Sequence, residues 1–159
     1  AGIDRLDVLV HSAGLVTFGA LADSTTQEWR DLMELNVVAP ATLTRLLLPA
    51  LRTTHGLVVF LNSGAGLTTH RGFSAYSASK YALTALADAL RLDERGRVRV
   101  TSIHPGRVAT DMQAQLASLQ GLPYVPDAHL DAADVARAVR LAVDLPPDAS
   151  LDSVRINPV

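Results

Sequence analysis

The 159-residue chain contains no cysteine, which excludes disulfides and thiolate metal sites. It also lacks a basic patch: 14 Lys and Arg against 16 Asp and Glu leave a net charge of −2. Both signs are scattered, so nothing in the charge pattern would track a nucleic-acid backbone. No apolar run reaches the roughly 18 residues that a bilayer requires. The opening stretch, AGIDRLDVLV, carries Asp4 and Asp7 and does not resemble a secretory leader. The five histidines (11, 55, 70, 104, 129) never fall at i, i+4, so no metal site is expected from them. Surface or turn positions are expected instead. There is no internal repeat and no low-complexity linker. Together these absences predict a cytoplasmic protein that binds neither membrane nor nucleic acid.

What remains is apolar and patterned. Hydrophobic residues make up 48% of the chain, enough for one domain over residues 1–159 with one sizeable core. Four short runs rich in β-branched residues read as strands: LDVLV (6–10), GLVVFLN (56–62), RVRVTSI (97–103) and SVRIN (153–157). The first two are nearly continuous in apolar character, as strands buried on both faces are. Longer segments with helical spacing lie between them. Thr25 and Glu28 form a capping box that opens a helix running toward Arg52, with Pro40 and Pro49 as local kinks or ends. A second helix runs from Ser74 to Asp93 and stops near Gly96. A third starts at the N-cap Asp131, turns Val135, Val139 and Ala142 inward, and ends before Pro146 and Pro147. Strand–helix alternation of this kind predicts an α/β fold with parallel strands and crossover helices. The stretch 111–130 has weaker periodicity and reads as a flap beside a site.

In such sheets ligands bind beyond the carboxyl ends of the strands. Here the strands run into HSAG (11–14), NSGAG (62–66) and HPGRVAT (104–110), all small or glycine-containing turns. The second helix opens as SAYSASKYAL, which puts Tyr76 and Lys80 one turn apart on one face. An ammonium beside a phenol favours the phenolate, so this pairing predicts a tyrosine with a lowered pKa, able to move a proton near neutral pH. Ser63 lies just past a strand, 13 residues before Tyr76, and Asn36 sits in mid-helix, where an asparagine is locally unfavourable and needs a reason. A serine hydrolase built on Ser63 is poorly supported, because NSGAG is not a G-x-S-x-G elbow.

Asn36, Ser63, Tyr76 and Lys80, in this order with HSAG and HPGRVAT, resemble the short-chain dehydrogenase/reductase family over essentially the whole chain. The resemblance implies a Rossmann-like, doubly wound parallel sheet and NADP or NAD as cofactor. It implies that Tyr76 is the acid or base at the substrate oxygen, that Ser63 orients that oxygen, and that Lys80 lowers the Tyr76 pKa and holds the nicotinamide ribose. The main chain at Asn36 would anchor a water between Lys80 and solvent. The turn carrying Pro105 and Gly106 would hold the carboxamide through the backbone of Val108 and the hydroxyl of Thr110. Ala13 and Gly14 would lie along the adenosine side. The expected substrate is a small carbonyl or alcohol.

Two departures stand out. His11 and Ser12 occupy positions where the family usually has two asparagines that tie neighbouring strands together. The family's opening strand, its T-G-x-x-x-G-x-G turn and the helix after it have no counterpart here, so the chain corresponds to the family's catalytic portion from its fourth strand on. The sheet is then expected to be incomplete, with about four strands and LDVLV as an open edge. Two readings follow. One is an oxidoreductase fragment, active when the missing part is supplied; alone, the chain is expected to be inactive. The other is an inactive remnant that serves in association. Both include a homo-oligomer through the Ala-rich helix around 75–91, where Ala78, Ala82, Ala85 and Ala89 permit close contact.

Overall fold

A computed structural model describes residues 2–159. Four strands form one sheet: β1 (Val8–His11), β2 (Leu57–Leu61), β3 (Arg99–Pro105) and β4 (Ser153–Ile156). They pair in the order β1-β2-β3-β4, and every pair is parallel. The four predicted runs are these strands, with ends displaced by a residue or two. β3 starts later than its apolar run and extends through His104 to Pro105, where it pairs with β4.

Helices cover both faces, as a doubly wound sheet requires. Side chains alternate along β2. Val58 and Phe60 join Leu51, Leu83 and Val100 on one side, whereas Leu57 and Val59 join Ile103, Val135 and Ala142 on the other. All four of these β2 residues are fully buried. β1 is different: it lies at the sheet edge and Val10 is 42% exposed. The expectation that LDVLV forms an open edge agrees with this. The expectation that it is buried on both faces does not, because nothing packed on the sheet covers Val10 and the other three residues are only partly buried.

The capping box is present: the Glu28 N–H donates to Thr25 Oγ1 at 3.2 Å, and the Thr25 N–H donates to Glu28 Oε2 at 2.6 Å. It opens α1 (Thr26–Met33), which passes through a π-helical turn (Glu34–Val38) into α2 (Ala39–Arg52). Pro40 explains the widened turn. Its ring would clash with the carbonyl of Asn36 in a regular α-helix, and it has no N–H to bond it. Pro49 sits inside α2 without ending it. The helix α3 spans Ser74–Asp93, as its periodicity predicts. One helix was not foreseen: α4 (Asp111–Leu119), capped by Thr110, whose Oγ1 accepts from the Gln113 N–H at 3.3 Å. The last, α5 (Ala132–Asp144), starts at Asp131, whose carboxylate accepts from the Ala133 N–H at 2.8 Å. Among the described residues no helix is long and apolar enough to cross a membrane.

Candidate active site

The turns after β2 and β3 open onto a cleft of about 1030 Å³ at the carboxyl edge of the sheet. Of the residues singled out in the sequence, Ser63, Tyr76, Pro105, Gly106, Val108 and Thr110 line it. Asn36 and Lys80 are buried and lie outside the lining. Gly14 belongs with them: a side chain there would begin 3.7 Å from Lys80 Nζ and 3.5 Å from Asn36 Oδ1. Ala13 is exposed and stands apart from the cleft lining.

Ser63 leaves β2 in extended conformation and caps the tight turn Gly64–Gly66, its Oγ accepting from the Ala65 N–H at 3.1 Å. Its carbonyl oxygen is 3.0 Å from His104 Nδ1. A carbonyl can only accept, so that ring nitrogen carries the proton. His104 is 1% exposed, which corrects the expectation of surface or turn positions for the histidines. The reason is its place in the sheet: β3 is an interior strand, and every residue from Val100 to His104 is buried whichever face it points to. Burial pushes its pKa down, so the imidazole stays neutral and keeps bracing Ser63.

Tyr76 and Ser63 line the same cleft, and the Ser63 side chain lies near enough to the phenol to favour its ionised form. Lys80 is the only lysine in the chain, and its Nζ sits 5.8 Å from the centroid of the Tyr76 ring and 3.5 Å from the Leu61 carbonyl oxygen. The sequence predicted a phenol whose pKa is lowered by this ammonium. The structure gives the opposite direction: burial pushes the Tyr76 phenol above its ordinary value, and the neighbouring Ser63 side chain offsets this only in part. Burial likewise pushes Lys80 down to about 8. The spacing put the two groups together but did not reveal that both leave water, which penalises the phenolate and the ammonium alike.

Asn36 has a specific task. Its side-chain amide donates to the Leu15 carbonyl and to Ser79 Oγ, both at 2.9 Å, and its Oδ1 accepts from the Leu15 N–H at 2.8 Å. This pins the loop after β1 to the helix that carries Tyr76 and Lys80. Asn62, not singled out in the sequence, does the same for the loop after β2: its amide donates to Thr84 Oγ1 at 2.9 Å and to the Lys80 carbonyl at 3.3 Å. Its place one residue past an apolar strand was the available signal. His11 takes over a tying role. Its Nε2 lies 2.8 Å from Thr44 Oγ1 of α2, and its ring stacks on Phe60 of β2 at 5.0 Å. Ser12 faces the cleft instead.

The family profile described as short chain dehydrogenase matches residues 1–120. The chain belongs to the short-chain dehydrogenase/reductase family. It is 37% identical over 115 residues to cyclopentanol dehydrogenase of Comamonas sp., covering 71% of this chain and 46% of that enzyme. It is 34% identical over 130 residues to trans-4-hydroxycyclohexanecarboxylate dehydrogenase of Sinomonas cyclohexanicum, covering 79% of this chain and 49% of the relative. The chain thus spans about half the length of the curated relatives it matches. Among solved structures, an alcohol dehydrogenase of Thermococcus sibiricus complexed with 5-hydroxy-NADP superposes with a TM-score of 0.86 at 25% identity, over 98% of this chain and 64% of that one.

Proposed function

We propose that this short-chain dehydrogenase/reductase chain interconverts a carbonyl and an alcohol with NADP or NAD, through Ser63, Tyr76 and Lys80 braced by Asn36. The observation that carries the reading is that Ser63 and Tyr76 line the same cleft, with Lys80 behind the Tyr76 ring. Neither the phenol nor the ammonium titrates at its ordinary value there, which is common in groups set up for proton transfer.

The residues present fit the nicotinamide and ribose end of a dinucleotide. Lys80 is a buried cation with no carboxylate partner among the described residues, which suits it to ribose hydroxyls. The bonds Ala109 N–H to Leu130 O at 2.8 Å and Leu130 N–H to Arg107 O at 2.9 Å turn the polar backbone of Val108 away from Leu130. That leaves the Val108 N–H to hold a carboxamide, against the Pro105–Gly106 turn, while the Val108 carbonyl accepts from the Thr110 hydroxyl at 3.3 Å. Ala13 and Gly14 would flank the adenosine end. The cofactor, when bound, supplies or accepts the hydride.

The chain's own side chains do the rest. In reduction the Tyr76 hydroxyl gives its proton to the substrate oxygen, and in oxidation it takes that proton. The Ser63 hydroxyl donates to the same oxygen and fixes its place. Lys80, charged, stabilises the phenolate as it forms. Asn36 holds the helix and loop in register, and its carbonyl, which Pro40 cannot bond, would anchor a water between Lys80 and solvent.

Two relatives are named for cyclic secondary alcohols, so cyclopentanone and 4-oxocyclohexanecarboxylate are the first substrates to try. Fluorescence titration with NADPH tests the cofactor half. Tyr76→Phe, in a protein with the missing portion supplied, tests the chemistry: turnover should fall by about 10²–10⁴ while NADPH affinity is kept. A variant with near-normal turnover would remove Tyr76 from the reaction. The same reading includes a homodimer through α3, whose Ala78, Ala85 and Ala89 are exposed. Sedimentation of wild type and Ala85→Glu checks it, and an unchanged mass in both would discard it.

A further inference from the structure

The cleft has a one-sided charge. None of its 30 lining residues is acidic, although 16 of 159 residues in the chain are Asp or Glu, a frequency that would put about three there. Two arginines do line it, Arg107 and Arg155. Neither pairs with a carboxylate among the described residues. Both spring from the same end of the β3–β4 pair. Arg155 stands opposite His104 in the register, and Gly106, next to Arg107, donates its N–H to the Ile156 carbonyl at 2.7 Å. The Arg107 backbone is itself pinned, because its carbonyl accepts from Leu130. Asp111, on the first turn of α4, lies outside the lining. Across the cleft the wall is apolar, with Leu116, Val135 and Val139. A guanidinium binds carboxylate or phosphate in a planar fork, and two of them without a carboxylate partner at one cleft favour an anion over a neutral ligand.

We propose that Arg107 and Arg155 form an anion subsite, and that a molecule bound in this cleft presents a carboxylate or phosphate to them alongside an apolar body. That the anion belongs to the substrate rests on the reading of Tyr76 given above; that the subsite binds anions does not.

Calorimetric titration of the 159-residue chain tests it with three probes: 6-oxoheptanoate, its methyl ester and inorganic pyrophosphate. The acid should bind about tenfold tighter than the ester, and R107Q/R155Q should erase that difference while leaving the ester unchanged. Binding of the acid should weaken as salt is raised. If pyrophosphate alone binds in a way the double variant abolishes, the same two guanidiniums hold a phosphate group and not a substrate acid. If the double variant changes neither anion's affinity, the proposal is overturned. Both arginines are exposed, so the fold should survive their replacement, with R107K/R155K and circular dichroism as the check. These titrations do not depend on turnover, so an inactive Tyr76 would leave their result standing.

Discussion

Helix α3 buries six residues, among them Ser77, Ser79 and Lys80, whereas α4 on the same cleft buries two, Leu116 and Ala117. α3 is tied by side chains at every level: Asn36 to Ser79, Asn62 to Thr84, and Arg91 to the Val100 carbonyl at 3.1 Å. The segment around α4 leaves apolar side chains in water, with Leu119 at 63% and Leu122 at 58% exposed. The wall that carries the proton-transfer groups is therefore fixed by packing and buried hydrogen bonds. The opposite wall is held by few buried contacts, which places it at the low-stability end of the molecule. A rigid wall suits chemistry that tolerates little displacement. A lightly held one suits substrates of different shape.

The contrast is most severely tested by adding one methyl group to each side. In Gly66→Ala the new carbon would lie 2.7 Å from the Lys80 carbonyl and 2.8 Å from Asn62 Oδ1. The clash is with backbone and a braced amide, so a loss of about 3 kcal/mol is expected from denaturant midpoints. A loss near zero would mean that the wall yields. The same change at Gly121, just past α4, meets nothing within 4 Å and suffers only from a φ of +66°. Its expected cost, about 1 kcal/mol, is the smallest of this series. Hydrogen exchange should place that loss in α4 and leave α3 untouched.

Between these extremes lies Glu94, which ends α3 and receives two hydrogen bonds from Arg52 of α2, at 2.9 and 2.5 Å. Glu94→Gln should cost about 2 kcal/mol, less than a fully buried pair because Arg52 is partly in water. The Arg52 guanidinium holds the Glu94 carboxyl below its ordinary value. The pair therefore contributes fully above the ordinary carboxylate range, and its contribution disappears as pH falls through the folded-state value. Thermal melts of wild type and Glu94→Gln should converge in acid.

Lys80 has the opposite sign. Its folded pKa of about 8 lies below the ordinary 10.5, so between those values the unfolded chain binds more protons and stability rises with pH. Lys80→Met should then stabilise the chain at neutral pH by about 1–2 kcal/mol, less than the full shift implies because the cleft admits some water. With one lysine in the chain, a selectively labelled sample gives one ammonium signal, whose midpoint should fall near 8. A midpoint above 10 would show that the group is solvated and would weaken its proposed role.

Much of this was legible because the signals were local. The capping box at Thr25, the span of α3 and the start of α5 at Asp131 depend on neighbours within a few residues, and the structure keeps each of them. α4 is not legible in the sequence because Thr110 carries two signals, ligand contact and helix cap, and because the helix buries only Leu116 and Ala117. His104 differs from the expectation because histidine is usually a surface residue, while β3 is an interior strand buried on both faces.

By itself the sequence determined the parallel strand–helix alternation, the family, and the spacing that puts Tyr76 beside Lys80, since all three follow from periodicity and fixed separations along the chain. Only the tertiary structure decided the charge states and the company of those residues: that His104 holds Ser63, that burial raises one pKa and lowers the other, and that Arg107 and Arg155 share a cleft without an acid. Desolvation and juxtaposition depend on what packs around a group from distant parts of the chain, and no local pattern carries that information.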